Sequence, residues 1–222
     1  MFENVHGFVY KPHMDAFNYL KEESQSLGYK LFYKVVNAAL YGIPQTRERF
    51  ICVGVRKELP DFIYPAETHY DPDKYNSKND YNKKKWITCG EVLSDLDVDL
   101  PEDQNMQAGS KHKDILKQIP PGENYLFFTK EKGHAMPIFK WRSRYWSFLL
   151  KLTPDRPSWT IQASHSNNMA PFHWKNRFLR ISEIKRIQTF DDSYKITGDY
   201  REQWRQIGNA VPVNLGKEVG YA

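Results

Sequence analysis

Residues 50–55, Phe-Ile-Cys-Val-Gly-Val, form a continuous apolar run bracketed by charge, with Arg47-Glu48-Arg49 before it and Arg56-Lys57 after. A run this short and without polar alternation is the pattern of a strand covered on both faces. Such a strand needs a helical layer on each side, so this one segment points to a layered α/β fold. Its neighbours agree. Met14, Phe17, Leu20 and Leu27 lie on one stripe of a helix, with Gly28 placed as its stop signal. Tyr29–Val36 reads as a strand and Tyr41-Gly-Ile-Pro44 as a turn. Residues 1–57 therefore make part of an α/β sheet, and too little chain to be all of one.

From Lys57 to about Ser147 the texture changes. Residues 61–85 are rich in Tyr, Asp, Asn and Lys, 95–110 are polar with little period, and Pro120-Pro-Gly122 marks a turn. This is a second, irregular unit set between two ordered ones. Order returns from about Leu149. Trp159–Ala163 reads as a strand, and Ile181, Ile184, Ile187 and Phe190 suggest a helix with one apolar face ending near Asp191-Asp192. A last helix begins at Pro212, a residue tolerated in the first turn.

Several chemistries are excluded. None of the 12 glycines lie two apart, so no dinucleotide fingerprint exists, and no G-K-[ST] phosphate loop is present. The histidines show no metal-ligand spacing, and two cysteines, Cys52 and Cys89, make neither a disulfide scaffold nor a four-cysteine zinc site. No stretch approaches the roughly 20 apolar residues of a membrane span, and the start lacks a basic region followed by an apolar one. The expectation is a soluble protein of bacterial cytoplasmic type. The net charge of +5 alone does not identify a nucleic-acid partner.

Three runs carry possible chemistry. In Gln45-Thr-Arg47-Glu-Arg49 the alternate residues project to one side of an extended segment, two guanidiniums and an amide suited to oxyanions and carbonyl oxygens. A solvated edge with Arg–Glu pairs is the plainer alternative. In the run from Arg177 to Tyr194, Arg177 and Glu183 could pair locally and Gln188 could hydrogen-bond a backbone turn. The third run is Gln206-Ile-Gly-Asn209-Ala-Val-Pro-Val213. Read alone, the last two are helices with polar trim.

Taken with the opening Glu3-Asn-Val5, these runs resemble the DNA cytosine-C5 methyltransferase family. Four of its motifs occur in family order: E-N-V, Q-x-R-x-R before an apolar strand, R-x-L followed by E-x-x-R-I-Q-x-F, and Q-x-G-N-A-V-P-V. The gap between the second and third is where that family places its target-recognition domain. The resemblance implies the C-terminal part of a Rossmann-like methyltransferase sheet plus an irregular, mostly β target-recognition domain. The division would be 1–57 for the catalytic α/β part, 58–176 for target recognition and 177–222 for helices returning to the catalytic domain. The family's glycine-rich S-adenosylmethionine loop and Pro-Cys nucleophile loop precede E-N-V, and this sequence contains no Pro-Cys pair. Arg180 and Asp191 replace a usual Thr and Pro.

In this family the target cytosine is flipped into a pocket, a thiolate adds to C6, and C5 takes the methyl group. Addition drives charge toward N3 and O2, which calls for an acid at one and a cation at the other. The resemblance assigns Glu3 as the acid and Arg49 to O2, with Arg47 and Gln45 holding the adjoining backbone and Asn209 beside the methyl donor. For contact with double-stranded DNA, the candidates besides Gln45 are Lys140, Arg142 and Arg144, alternating with Phe139, Trp141 and Tyr145 along an expected strand, and the loop residues His165, Asn167 and Asn168. An amphipathic edge strand is the alternative for 139–145. Glu3 could equally be a frayed end, Asn209 a cap joining two helices, and Lys83–Lys85 a solvated run. The implied function is that of a subunit or fragment needing a second chain that carries the Pro-Cys and cofactor loops. A catalytically inactive DNA-binding remnant or regulatory module is the competing reading. An exposed sheet edge that self-associates is a further expectation.

Overall fold

The structure, a computed structural model, describes residues 1–109, 111–164, 166–169 and 171–222. A three-stranded antiparallel sheet is formed by β1 (Phe2–Val5), β2 (Tyr29–Asn37) and, after the two-residue β3 (Gln45–Thr46), β4 (Glu48–Arg56), in the order β1-β4-β2. Three further short strands follow, β5 (His69–Tyr70), β6 (Lys84–Lys85) and β7 (Ser158–Trp159), with β3 paired to β7 and β5 to β6 in parallel. The helices are α1 (Met14–Ser26), α2 (Ser77–Asp80), α3 (Cys89–Leu93), α4 (Lys113–Gln118), α5 (Ile181–Ile187), α6 (Tyr200–Asn209) and α7 (Val213–Tyr221).

The alternation of β4 explains the layering. Phe50 and Cys52 face Phe17 of α1, while Ile51 and Val53 face Leu215 and Val219 of α7. Only residues 49–52 are buried in succession. From Val53 onward exposure alternates, with Val53 and Val55 half-buried and Gly54 and Arg56 exposed. Helix α1 stops where Gly28 adopts φ +83°, which a side chain would resist. Leu27 lies beyond the last turn and is exposed, not on the buried stripe.

Residues 58–176 are irregular, but the mostly β character expected of them is not found among the described residues, where short helices and turns outnumber strands. Among the described residues their β structure is limited to the three two-residue strands and isolated bridges. The strand expected over 159–163 ends at Trp159, since Gln45 and Thr46 offer a partner only two residues long. The strand expected over 139–145 is absent. Phe139 makes one bridge to Thr129, residues 143–145 turn as a short 3₁₀ helix, and Trp141 is exposed where burial was expected. Lys83 is not a solvated residue either, being paired with Asp80 at 3.0 Å and Glu67 at 3.1 Å.

A second core joins α3, Leu152 and Ile161 to α5 and α6 through Ile184, Trp204 and Ile207. Its entry is fixed by charge. Glu183 accepts the Arg180 N–H at 2.8 Å, capping α5, and takes a bidentate pair from buried Arg177 at 2.6 and 2.9 Å. Arg180 ties this corner to the 96–103 loop through Leu96 O and Asp103. The helix thus survives the Arg in place of Thr, but it ends at Ile187, where Thr189 takes φ +58°.

Candidate active site

Glu3 and Arg49 meet because of strand register. Glu3 lies opposite Ile51 in the β1–β4 ladder, so its side chain shares a face with Arg49, the diagonal neighbour two residues away. Arg49 Nε donates to Glu3 Oε1 at 2.8 Å and its Nη1 donates to Glu48 O at 2.7 Å, leaving Nη2 without a partner among the described residues. Glu3 is therefore an ordered strand residue, with 28 % of its side chain exposed. Burial pulls the Arg49 guanidinium below its ordinary value, and the Glu3 carboxylate opposes that shift.

The pair borders a cavity of about 440 Å³ whose walls include Glu3, Arg47, Arg49, Gln162, Gly208 and Asn209. The far wall is made by backbone. Helix α6 presses so closely on residues 162–163 that a Cβ on Gly208 would lie 2.6 Å from Gln162 O and 2.7 Å from Ala163 N. Asn209, the last residue of α6, is exposed at the rim.

Arg47 has a different part from the one expected. It is 2 % exposed, and its guanidinium donates to Ile161 O at 2.8 Å, Gly208 O at 2.9 Å and Ala210 O at 3.1 Å. The last two are carbonyls at the C-terminal end of α6, which lack intrahelical partners and attract a cation. Burial, helped by the Arg49 charge and opposed by Glu3, pulls Arg47 down to about 9, so it stays protonated at neutral pH. Its terminal nitrogens are committed to protein carbonyls, not to a ligand.

Gln45 is likewise no DNA contact. It is fully buried, with Nε2 donating to Gln188 Oε1 at 3.1 Å and Oε1 accepting Ile161 N at 3.1 Å. Gln188 in turn donates to Ile207 O at 2.8 Å. The two-residue spacing did set Gln45 and Arg47 on one side, but that side is covered by the α6–α7 link and residues 160–163.

Neither cysteine is poised as a nucleophile. Both are buried, and burial raises the Cys52 thiol and pushes Cys89 up to about 12. Lys140, Arg142 and Arg144 are exposed, as is Asn167, and Asn168 is half-buried nearby. His165 lies outside the described residues. No helix among the described residues is long and apolar enough to cross a membrane. Gly208 and the 161–163 backbone escaped sequence reasoning. The glycine inside Q-x-G-N was the available signal, since a close backbone approach is one reason for glycine in a helix.

The family model of C-5 cytosine-specific DNA methylases matches residues 1–222. The chain belongs to that family. Among curated relatives it is 41% identical to the type II methyltransferase M.SacI of Streptomyces achromogenes, over 98% of this chain and 57% of that protein. It is 31% identical to M.Eco47II of Escherichia coli, over 98% of this chain and 51% of that protein. The methylase segment thus spans little more than half the length of these relatives. Solved structures share its fold. The Entamoeba histolytica methyltransferase EhMeth superposes with a TM-score of 0.58 at 15% identity, covering 99% of this chain and 59% of that one. The Schizosaccharomyces pombe Dnmt2 methyltransferase gives 0.58 at 13%, covering 97% and 63%.

Proposed function

We propose that this chain is the part of a DNA cytosine-C5 methyltransferase that receives a flipped cytosine and answers the charge developed on it. The observation that carries the reading is the Glu3–Arg49 pair at the wall of a polar cavity shared with Asn209. A nucleophile adding to C6 of cytosine drives electron density onto N3 and O2. A Glu3 carboxyl that carries a proton on the oxygen turned away from Arg49 hydrogen-bonds N3 and gives up that proton as the charge develops, and Nη2 of Arg49, unpartnered among the described residues, stabilises O2. Arg47 and Gln188 act one step away, fixing the end of α6 and so the position of Asn209.

S-adenosylmethionine, when bound, supplies the methyl group. Asn209, exposed at the cavity rim with polar walls beside it, fits a contact to that donor. The attacking thiol is not among this chain's cysteines, so it comes from elsewhere, together with the rest of the donor site. Exposed Lys140, Arg142 and Arg144 provide phosphate contacts, and Asn167 and Asn168 base-edge contacts.

The test is to mix the purified chain with a polypeptide bearing the family's Pro-Cys and cofactor loops, add double-stranded DNA and labelled donor, and count methyl groups on cytosine. Activity is expected only in the mixture. Arg49→Ala should abolish it, and Glu3→Gln should lower it by roughly two to four orders of magnitude, the scale of general acid catalysis. Methylation by the chain alone, or full activity of Arg49→Ala, refutes the assignment.

A further inference from the structure

A second hollow lies between residues 138–148 and 166–169, away from Glu3 and Arg49, and has a volume of about 490 Å³. Its floor is aromatic. Tyr125, Phe139 and Phe148 pack edge to face with centroids 5.5 to 5.7 Å apart. Lys140 and Arg142 stand exposed at its rim, and neither forms an ion pair among the described residues. Arg142 is held there by a buried anchor, since the Tyr125 hydroxyl donates to its carbonyl at 2.7 Å and accepts its N–H at 2.9 Å.

The opposite wall carries an unmet demand. Asn168 Oδ1 is buried and has no hydrogen-bond partner among the described residues, a state a protein tolerates poorly unless water or a ligand supplies the donor. The loop bearing it is firmly seated. Asn168 O accepts Leu149 N at 2.9 Å and Asn167 O accepts Gly109 N at 3.2 Å. Leu149 holds its place at φ +51°, a conformation costly for a branched side chain. Ring faces, an acceptor awaiting an N–H donor, and free cations at the mouth together match a planar heterocycle carried on a phosphate chain.

We infer that this hollow receives a single unstacked base of the bound DNA, separate from the cytosine at Glu3 and Arg49. The base lies against the aromatic floor, an exocyclic amine donates to Asn168 Oδ1, and the flanking phosphates meet Lys140 and Arg142. This rests on the reading of the chain as a binder of duplex DNA, and extends it by a second extrahelical position.

Fluorescence anisotropy of the chain with a fully paired duplex, and with the same duplex carrying one bulged adenine, separates the two ideas. The bulged duplex should bind about tenfold tighter, the scale of one base stacked on aromatic side chains. Asn168→Leu should shrink that ratio toward one. So should Ile138→Asp, which sets a carboxylate at a rim position 54% exposed, where folding is not at stake. Equal binding of both duplexes overturns the inference while leaving duplex binding intact, and so does a preference unchanged in both variants. Binding of neither duplex refutes the DNA-binding reading itself, and the inference with it.

Discussion

Lys151 is an energetic weakness of this fold, a lysine buried in area and without a counter-charge among the described residues. Its side chain is 2 % exposed, its ammonium has the Ile119 carbonyl as its hydrogen-bond acceptor, and no carboxylate forms an ion pair with it among the described residues. Burial alone lowers its pKa from 10.5 to about 8. A shift of that size corresponds to about 3 kcal/mol against the charged form, at 1.36 kcal/mol per pH unit. The sign follows from proton binding. Between pH 8 and 10.5 the unfolded chain holds this proton and the folded one does not, so stability rises with pH across that window. Below pH 8 the full penalty is present. Lys151→Met removes it but leaves Ile119 O unpaired, a loss of about 1–2 kcal/mol. The variant should therefore be more stable than the parent by about 1–2 kcal/mol at pH 7, raising Tm by about 2–8 °C. Above pH 10 it should be less stable by a similar amount. Urea melts of both proteins at pH 7, 9 and 10.5 read the difference directly. Parallel stability curves, with no change of sign, would show that Lys151 already has a counter-charge or water in the folded state.

Three other outcomes are expected. Gly208→Ala drives a methyl group into the backbone of Gln162 and Ala163, so α6 must move; denaturant melts should show a loss of about 1–3 kcal/mol, and the reconstituted enzyme should lose donor affinity as Asn209 shifts. Glu183→Gln leaves Arg177 charged and buried without its bidentate partner, which should cost about 3–5 kcal/mol. Glu183→Asp, keeping the charge, should recover part of it; no loss in Glu183→Gln, or no recovery in Glu183→Asp, counts against the pair. His173 is fully enclosed, and burial pulls it down to about 4 from 6.5. Its unfolded form binds the proton first, so the parent should lose stability as pH falls from 6.5 toward 4, by about 3 kcal/mol at most. His173→Asn should show a flatter acid limb in the same melts.

The apolar and turn patterns of the ordered segments were legible because they are local. Phe50, Ile51 and Cys52 in a row require cover on both faces, and Gly28 ends α1 through its own φ. Glu3, Arg49 and Asn209 were named from motifs, but nothing in their spacing says that they share one cavity. Register decides that: pairing Glu3 with Ile51 makes Arg49 its diagonal neighbour, and one residue of slip would turn the carboxylate toward Phe17. The irregular middle was the least legible part. Its backbone is satisfied by loop contacts such as Tyr125 with Arg142, which have no period, so the alternation of 139–145 imitated a strand.

By itself the amino-acid order determined the main elements of the ordered segments, where helix α1 stops, and which charged groups were on offer. Only the tertiary structure decided what those groups face. Gln45 and Arg47 turn inward because α6 ends on them, and Lys151 is stranded because the chain folds over it without bringing a carboxylate from among the described residues. Periodicity tells which residues share a side; what covers that side depends on segments far away in sequence, and their approach is fixed by packing.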